Sequence, residues 1–248
     1  MLNINEAKVN FFKTIDSTNN EAQRIIENQI VDSPFWIIAE SQNNGRGRGK
    51  NSWISEEGNF FATLVTPIEW DLKLFPMLSC IVALSVYESI LNFCNDQHSL
   101  KIKWPNDILF NDKKISGILI ENQISKKDKF SIIGIGVNIK SSPNNLDYET
   151  THLNNISINK KIKPMEYFFI LKEKIHNNIN NFNSNSVEYF IKKITKQSWK
   201  IGKEIIFIDK NENKKALFIG FTNNYEIILD INGEISNLSS GEIAILNK

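Results

Sequence analysis

Glycine alternates with basic residues over positions 45–50, where the sequence is GRGRGK. Glycine lets a backbone approach a ligand closely, and the cations between the glycines can converge on anionic oxygens. The spacing matches neither the Walker phosphate-binding loop nor the G-x-G-x-x-G dinucleotide fingerprint. The segment predicts a loop that binds an anionic group; a solvated flexible loop and an RNA-binding Arg-Gly tract are the alternatives.

A second polar cluster starts at residues 103–107 (KWPND) and continues at residues 114–121 (KISGILIE). Lys114 opens an otherwise apolar strand, so its stem can be buried while its ammonium faces a ligand. The alternative is a solvated strand end, and loss of such a lysine should lower stability little. Glu121, at the far end of the segment, is expected to face solvent.

Two further segments place small or polar residues where a ligand can approach. Residues 16–19 (DSTN) precede a predicted helix whose start, Thr18 to Glu21, fits a capping box, and a helix N-terminus also offers free N–H donors. Residues 134–138 (GIGVN) put glycine inside an apolar strand, which leaves space for a ligand or a neighbouring backbone. Neither segment by itself distinguishes a binding site from ordinary folding signals.

The positions of histidine and cysteine argue against metal and covalent chemistry. His98, His152 and His176 lie apart, without the neighbouring cysteine or second histidine that a zinc site needs. Cys80 and Cys94 fall in one predicted helix, roughly 21 Å apart at the rise of an α-helix, so both are expected to be reduced. No G-x-S-x-G elbow or Cys/His pair predicts an acyl-enzyme nucleophile.

Helices and strands alternate over most of the chain and must position these segments. From about Ile201 only short strand-like runs follow, separated by Asn/Gly turns, which suggests a small barrel. The predicted fold is α+β, with a mixed or antiparallel sheet packed by helices in residues 1–199 and a small all-β domain in residues 200–248. Residues 111–113 (NDK) predict a hairpin between two of the strands. One predicted helix starts at Thr18, and three others cover 74–93, 164–182 and 187–194. The predicted strands cover 35–39, 60–65, 101–104, 108–110, 115–120, 132–139, 205–208, 216–221, 227–231 and 243–246.

The composition is that of an ordinary globular protein and excludes several functional classes. The 248 residues are 41% hydrophobic and 23% charged, and the formal net charge is +1. This balance argues against disorder and against a duplex nucleic-acid binder coated in basic charge. Residues 1–10 lack the features of an export signal, and polar residues interrupt the apolar stretch 78–94. A cytoplasmic protein that spans no membrane is expected.

Taken together and in this order, the polar segments resemble those of biotin–protein ligases, also called biotin–[acetyl-CoA-carboxylase] ligases. The matching patterns are D-S-T-N at 16–19, E-x-Q-x-x-G-R-G-R at 40–48, K-W-P-N-D at 103–107, K-x-x-G-I-L at 114–119 and G-x-G-x-N at 134–138. The short strands that follow are similar to the SH3-like domain of that family. The resemblance covers essentially the whole chain and implies a class II synthetase-like catalytic domain followed by an SH3-like β-barrel.

The resemblance also implies a role for each matching residue. It places Ser17, Thr18 and Gln42 on the ureido ring of biotin, and it implies that Lys114, Arg48 and Asp107 are catalytic. The full biotin-binding set that it implies is Ser17, Thr18, Asn19, Gln42, Gly45, Arg46, Gly47, Arg48, Lys114 and Gly117. The implied adenylate-binding set is Arg46, Arg48, Lys50, Trp53, Asn106, Asp107, Lys114 and Asn138, with Trp53 packed on the adenine and Asn138 near its edge.

The reaction that the resemblance implies depends on ATP. A carboxylate is a poor electrophile, so ATP converts biotin to the mixed anhydride biotinyl-5′-AMP before a lysine of the acceptor attacks it. Cations must bring the two anions together, a role implied for the arginines, Lys114 and Mg²⁺ that arrives with ATP rather than in a protein metal site. Asp107 is expected to help deprotonate or orient the attacking amine. The implied partner is a biotin carboxyl carrier domain of acetyl-CoA carboxylase or another biotin-dependent carboxylase, and a homodimer is left open.

Two departures from the family pattern change what is expected. Members that double as repressors carry an N-terminal helix-turn-helix domain, but here the matching motifs begin at Asp16, so a monofunctional ligase without specific DNA binding is expected. We call residues 42–52 the glycine loop. Many members continue this loop as R-x-G-R-x-W, whereas this chain has RGKNSW at 48–53, and Lys50 is a candidate to replace the missing arginine. Because the loop 42–52 has like charges and no apolar anchor, we expect it to be mobile until a ligand orders it.

Two other functions stay open at this point. A lipoate or octanoate ligase of the same fold would bind an alkyl tail, which does not require the donors and acceptors of Ser17, Thr18 and Gln42. A non-enzymatic nucleic-acid binder would use the Arg-Gly loop, but the net charge is near zero and the Arg-Gly run is short. Pyrophosphate release on titration with biotin and ATP separates the three.

Overall fold

The computed structural model describes residues 3–67, 71–94, 96–124, 129–158, 161–209 and 212–244. Its helices are α1 (Thr18–Asn28), α2 (Phe75–Leu91), α3 (Leu153–Ile156), α4 (Pro164–Asn181) and α5 (Val187–Gln197), with short 3-10 turns at Ile4–Glu6, Leu72–Leu74 and Ser184–Ser186. Its strands are β1 (Lys8–Ile15), β2 (Phe35–Gln42), β3 (Phe60–Pro67), β4 (Leu100–Lys103), β5 (Asp107–Phe110), β6 (Lys113–Ile124), β7 (Lys129–Val137), β8 (Glu204–Asp209), β9 (Glu212–Phe221), β10 (Ile227–Ile231), β11 (Glu234–Leu238) and β12 (Glu242–Ile243).

Strands β1 to β7 form one mixed sheet in the order β1-β2-β3-β7-β6-β5-β4. The pair β1–β2 is parallel, and the other neighbouring pairs of this sheet are antiparallel. A parallel pair needs a crossover, which α1 supplies between β1 and β2. The N-terminus of α1 therefore follows the end of β1 and lies beside the end of β2.

Helices cover both faces of this sheet because its strands are apolar on both sides. Phe35 and Ile37 of β2 pack with Ala22 of α1 in one cluster. The alternate residues Trp36 and Ile38 belong to the larger cluster on the other face, where α2, α4 and α5 pack. The two-residue period of a strand sends neighbouring side chains to opposite faces, so a continuous apolar run fills both cores.

The remaining strands form a second, antiparallel sheet in the order β11-β10-β9-β8-β12. Trp104 joins it to the first sheet: its Nε1 donates to Tyr225 O at 3.2 Å, and its ring centre lies 6.1 Å from that of Phe207. The contact places β8 and β12 beside the end of β4. The predicted α+β fold, a mixed sheet with helices and a small all-β C-terminal unit, is confirmed. The predicted division between residues 199 and 200 stays a prediction.

The element predictions fail mainly at sheet edges. Strands β1 and β11 were not expected, because each lies at an edge with many partly exposed side chains and so lacks a continuous apolar run. The predicted hairpin is confirmed: Asn111 and Asp112 have φ of 49° and 63°, as a tight turn between β5 and β6 requires. Of the predicted strand 243–246, only Ile243 is in β12, and residues 245 and 246 lie outside the described residues.

Both cysteines are buried and free, as expected. Cys94, however, lies beyond α2, which ends at Leu91. Phe93 N donates to Ile90 O at 3.0 Å, a tighter turn that takes the chain off the α-helical path.

Within the described ranges, no helix is long and apolar enough to cross a membrane.

Candidate active site

A cavity of about 630 Å³ lies between the glycine loop, the first sheet and the edge of the second sheet. This volume is typical of small-molecule sites. Two residues of the second sheet, Ile208 and Glu242, contribute to its wall. The sequence-predicted site residues that line it are Ser17, Thr18, Asn19, Gln42, Arg46, Gly47, Arg48, Lys50, Trp53, Asn106, Asp107, Lys114 and Gly117.

Uncharged groups at the N-terminus of α1 form what we call the polar end of the cavity: Ser17, Thr18 and Gln42. Gln42 Oε1 accepts hydrogen bonds from the backbone N (2.8 Å) and the hydroxyl (3.1 Å) of Thr18. Gln42 Nε2 donates to Ser55 Oγ at 2.8 Å. The pairing of β1 with β2 sets Ile15 opposite Gln42, and this register brings the carboxamide to the helix that follows β1.

The expected capping box at Thr18 is wrong. Ser17 is the N-cap residue of α1, and its side chain makes no capping hydrogen bond. Gln42 replaces the capping side chain, because it accepts the N–H of Thr18. The buried Ser17 hydroxyl forms no hydrogen bond within the described part of the chain, so it is available to a ligand.

A chain of hydrogen bonds links α1 to the glycine loop. Asn19 Oδ1 accepts from Thr63 Oγ1 at 2.6 Å, and Asn19 Nδ2 donates to Glu121 Oε2 at 2.9 Å. Glu121 Oε1 in turn pairs with Arg46 Nη2 at 2.6 Å. A Cβ at position 134 would collide with Asn19 Oδ1, so the network requires Gly134.

The expectation that Glu121 faces solvent is therefore wrong. Its side chain is 24% exposed, and both of its carboxylate oxygens are bonded. The strand period is the signal that was available: Gly117, Leu119 and Glu121 alternate along β6 and so point to one face. Gly117 and Leu119 line the cavity, which puts Glu121 next to it.

Ionised side chains meet at a second place, the charged end, formed by Lys103, Asp107 and Lys114. Asp107 lies 2.8 Å from Lys114 Nζ and 3.7 Å from Lys103 Nζ. Lys103 also pairs at 2.7 Å with Glu242 of β12, a carboxylate that the sequence did not single out. Only 2% of the Lys103 side chain, 9% of Asp107 and 16% of Lys114 are exposed, so little solvent screens the group.

The balance of charges at this end keeps both partners ionised. Burial alone would raise the pKa of the Asp107 carboxyl, but Lys114 and Lys103 outweigh burial and hold that pKa below its ordinary value. Burial would likewise lower the pKa of the Lys114 ammonium, and Asp107 reverses that shift. A carboxylate of low pKa is a weak base, so Asp107 is better suited to orient a cation than to remove its proton.

The ion pair changes what is expected of Lys114 in folding. Removing Lys114 would leave the buried Asp107 with the more distant Lys103 as its nearest cation, so the expectation of a small stability effect no longer holds. Asp107 Oδ1 is buried, and Lys114 Nζ, at 2.8 Å, is its close partner among the described residues.

Trp53 packs on a ledge made by two glycines, Gly117 and Gly136, which are opposed in the β6–β7 pair. A Cβ at Gly117 would lie 2.8 Å from Trp53 Cζ3, and one at Gly136 would lie 2.5 Å from Cε2. Lys114 Nζ lies 5.6 Å from the centre of this indole and 5.4 Å from the ring of Tyr148. Tyr148 carried no signal in the sequence; hydrogen bonds between Lys114 and the backbone of residues 149 and 151 bring it there.

Replacing Gly136 with alanine should displace the Trp53 indole, because the added methyl group has no room. Overpacking of this kind costs about 1–3 kcal/mol of unfolding free energy. Urea unfolding followed by tryptophan fluorescence measures the loss. Gly220→Ala in β9 is the matched control, since no heavy atom lies within 4 Å of its added Cβ. Equal losses in the two variants would contradict the packing of Trp53 on the ledge.

The two arginines of the glycine loop contact different elements around the cavity. Arg46 contacts Glu121 and, through Nη1, Asn20 Oδ1 at 2.8 Å, whereas Arg48 Nη2 donates to Gly241 O at 2.6 Å. Inside the loop, Gly47 N donates to Asn51 O at 2.7 Å. Polar contacts thus anchor a loop that has no apolar anchor, and its expected mobility without a ligand stays a prediction. Lys50 lines the cavity and is exposed.

Two predicted site residues, Gly45 and Asn138, do not line the cavity. A Cβ at Gly45 would collide with Trp53 O, so this glycine allows the loop to close on itself. Asn138 is buried, and its Nδ2 donates to Thr151 O at 3.1 Å. In this structure Asn138 holds the segment that follows Tyr148 and does not contact the cavity. Among the described residues, no cluster of three or more His, Cys, Asp or Glu side chains could hold a metal ion.

Comparison with known proteins identifies a family. The model of the biotin/lipoate A/B protein ligase family matches residues 11–138, just over half of the 248 residues. The matched range includes every residue of the polar and charged ends and the whole glycine loop.

Individual relatives agree with the family match. The chain is 36% identical over 129 residues to the biotin–[acetyl-CoA-carboxylase] ligase of Paracoccus denitrificans, covering 52% of this chain and 53% of that protein. It is 34% identical over 141 residues to the bifunctional ligase/repressor BirA of Bacillus subtilis, covering 56% of this chain and 42% of that protein. The chain thus matches about half the length of these curated relatives.

Solved structures extend the likeness to nearly the whole chain. The biotin protein ligase of Aquifex aeolicus in complex with biotin and ATP superimposes with a TM-score of 0.78 at 26% identity, covering 96% of this chain and 97% of that one. The biotin protein ligase of Leishmania major in complex with biotinyl-5-AMP gives a TM-score of 0.69 at 25% identity, covering 94% of this chain and 99% of that one.

Proposed function

Because the chain belongs to the biotin/lipoate A/B protein ligase family, we propose that it activates biotin with ATP and transfers it to a lysine of a carrier domain. The observation that supports this most directly is the combination of two ends in one cavity. The polar end offers hydroxyl and amide groups suited to an uncharged ring, and the charged end offers two lysines suited to anions. A ureido ring joined to a carboxylate has this polarity.

In the first step the carboxylate oxygen of biotin would attack the α-phosphorus of ATP, forming biotinyl-5′-AMP and releasing pyrophosphate. Both reactants are anionic, so the step needs positive charge at the point where they meet. Lys114 and Arg48 are the cations that we assign to this role. Lys114 is fixed by Asp107 and is only 16% exposed, so its charge acts in a partly dry site, where it is stronger than in water.

The nucleotide would be held by Trp53 for the adenine, with Asn106 and Asp107 near the phosphates. Mg²⁺ normally binds one or two carboxylates together with substrate phosphates. Asp107 would offer one carboxylate, but two lysines already lie beside it. This donor set fits a metal that arrives on ATP and is held mainly by phosphate oxygens, where it would neutralise part of their charge.

In the second step a lysine amine of the carrier would attack the acyl carbon, and AMP would leave. Until then the adenylate must be kept from water, a role that we assign to the glycine loop and Trp53. Asp107 is held ionised by its lysines, so we assign it to orienting Lys114 and not to removing a proton from the amine. The proposed acceptor is the biotin carboxyl carrier domain of a biotin-dependent carboxylase, and the proposed location is the cytoplasm.

Residues 200–248 are proposed to act as an SH3-like unit that completes one wall of the cavity. Two contacts support this: Arg48 donates to Gly241 O, and Glu242 pairs with the buried Lys103. The unit would therefore hold the glycine loop and the charged end in place while residues 1–199 bind the substrates.

The proposed function predicts biotin-dependent release of pyrophosphate from ATP by the purified protein. The rate of release should saturate with biotin. When a carrier domain is added, mass spectrometry should show that its mass increases by one biotinyl group. Parallel titrations with lipoate and octanoate test the other activity within the same family. A larger response to either of these than to biotin, or no response to any of the three, would contradict the proposal.

A further inference from the structure

Arg46 is held from two sides by rigid elements. Its Nη1 donates to Asn20 Oδ1 of α1 at 2.8 Å, and its Nη2 donates to Glu121 Oε1 of β6 at 2.6 Å. Hydrogen bonds that involve a charged partner are shorter and stronger than neutral ones. The guanidinium thus fastens the glycine loop to the helix whose N-terminus forms the polar end.

The second carboxylate oxygen of Glu121 is also hydrogen-bonded. Its Oε2 accepts from Asn19 Nδ2 at 2.9 Å, and Asn19 is bonded in turn to the buried Thr63 hydroxyl. A carboxylate accepts hydrogen bonds on both oxygens, whereas an amide accepts on one and donates on the other. A glutamine at this position can therefore satisfy Arg46 or Asn19, but not both.

The pairing also divides the work of the cations. Arg46 is held by Glu121 beside α1, whereas Lys114 and Arg48 lie by the charged end. We propose that Glu121 is a positioning residue that holds Arg46, and through it the glycine loop, over the polar end of the cavity. The proposal rests on the proposed function, because biotin is the ligand that the loop would cover.

Limited proteolysis of the protein without biotin or ATP tests whether Glu121 holds the Arg46 side chain in place. Trypsin needs the arginine side chain free, so Glu121→Gln should speed cleavage after Arg46 by roughly tenfold, the effect of losing a charge-assisted hydrogen bond. Cleavage after the exposed Lys50 should not change. Glu173→Gln, which makes the same charge change on an exposed part of α4, is the matched control. Cleavage after Arg46 at the same rate in both variants would overturn the proposal.

Pyrophosphate release tests whether the contact between Glu121 and Arg46 contributes to the binding of biotin. In Glu121→Gln the KM for biotin should rise roughly tenfold while kcat changes by less than about threefold, because the loop is displaced but the cations at the charged end are kept. In an Arg46→Gln background, Glu121→Gln should change the KM by less than about twofold, since the pair is already broken. A purely structural role would instead lower kcat in both backgrounds, and that result would overturn the proposal.

The two measurements separate this proposal from the proposed function. If the wild type shows no biotin-dependent pyrophosphate release, the proposed function fails. The cleavage rates still decide whether Glu121 holds Arg46. If the wild type is active and Glu121→Gln behaves as Glu173→Gln does in both assays, the proposed function stands and the role of Glu121 fails.

Discussion

Replacing Lys114 with alanine is expected to slow biotin-dependent pyrophosphate release by roughly 10²–10³-fold, the usual effect of losing one preorganised electrostatic contact. The Lys114 ammonium is ionised, partly buried and fixed 2.8 Å from Asp107 between two aromatic rings. It would face the negative charge that develops between the biotin carboxylate and the α-phosphate. Release under saturating biotin and ATP, well below the melting temperature of the variant, is the measurement.

Two further variants sharpen this test. Lys113→Ala removes the neighbouring lysine, which is 43% exposed and pairs with Glu149, and it should leave the rate unchanged. Lys114→Arg should not restore full activity, because a planar guanidinium differs in shape from a compact ammonium. Should Lys114→Ala keep more than about a third of wild-type turnover, the loss is under ~1 kcal/mol and Lys114 is not the central cation.

Replacing Asp107 with alanine is expected to lower the free energy of unfolding by about 3–5 kcal/mol, the usual cost of breaking a buried ion pair. Lys103 and Lys114 would be left buried side by side, and Glu242, which lies 2.7 Å from Lys103, acts on Lys114 without forming an ion pair with it. Urea unfolding at neutral pH is the measurement. The control is Glu57→Ala, which removes an exposed carboxylate, and it should cost under ~0.5 kcal/mol.

The free energy of unfolding that Asp107→Ala loses depends on pH, and the pKa of Asp107 gives the direction of that dependence. The pKa of Asp107 is lowered in the folded protein, so its stabilising effect is fully present above the unfolded value, near 3.9, and is lost as the pH falls through the folded value. The difference in unfolding free energy between wild type and Asp107→Ala should therefore be constant from neutral pH down to about pH 4 and shrink below it. A difference under ~1 kcal/mol at neutral pH would show that the cluster is not a tightly coupled buried pair.

By itself, the sequence determined the fold class, most elements of the two sheets and the set of segments that line the cavity. These depend on local signals: apolar runs, turn residues such as Asn111 and Asp112, and motifs whose order along the chain is specific even though each is short. A local pattern is enough for such predictions because helix and strand periods act over a few residues.

Only the tertiary structure decided the partners of the charged groups. The sequence indicated that Lys114 and Asp107 matter, but not that they form a buried ion pair, and it suggested solvent for Glu121, whose two oxygens are bonded to Arg46 and Asn19. Such pairs join residues on different elements, far apart in the chain, and the sheet registers and the loop path that bring them together are not local properties. Because burial and neighbouring charge together set a group's protonation and its energetic weight, both depend on where the fold places it.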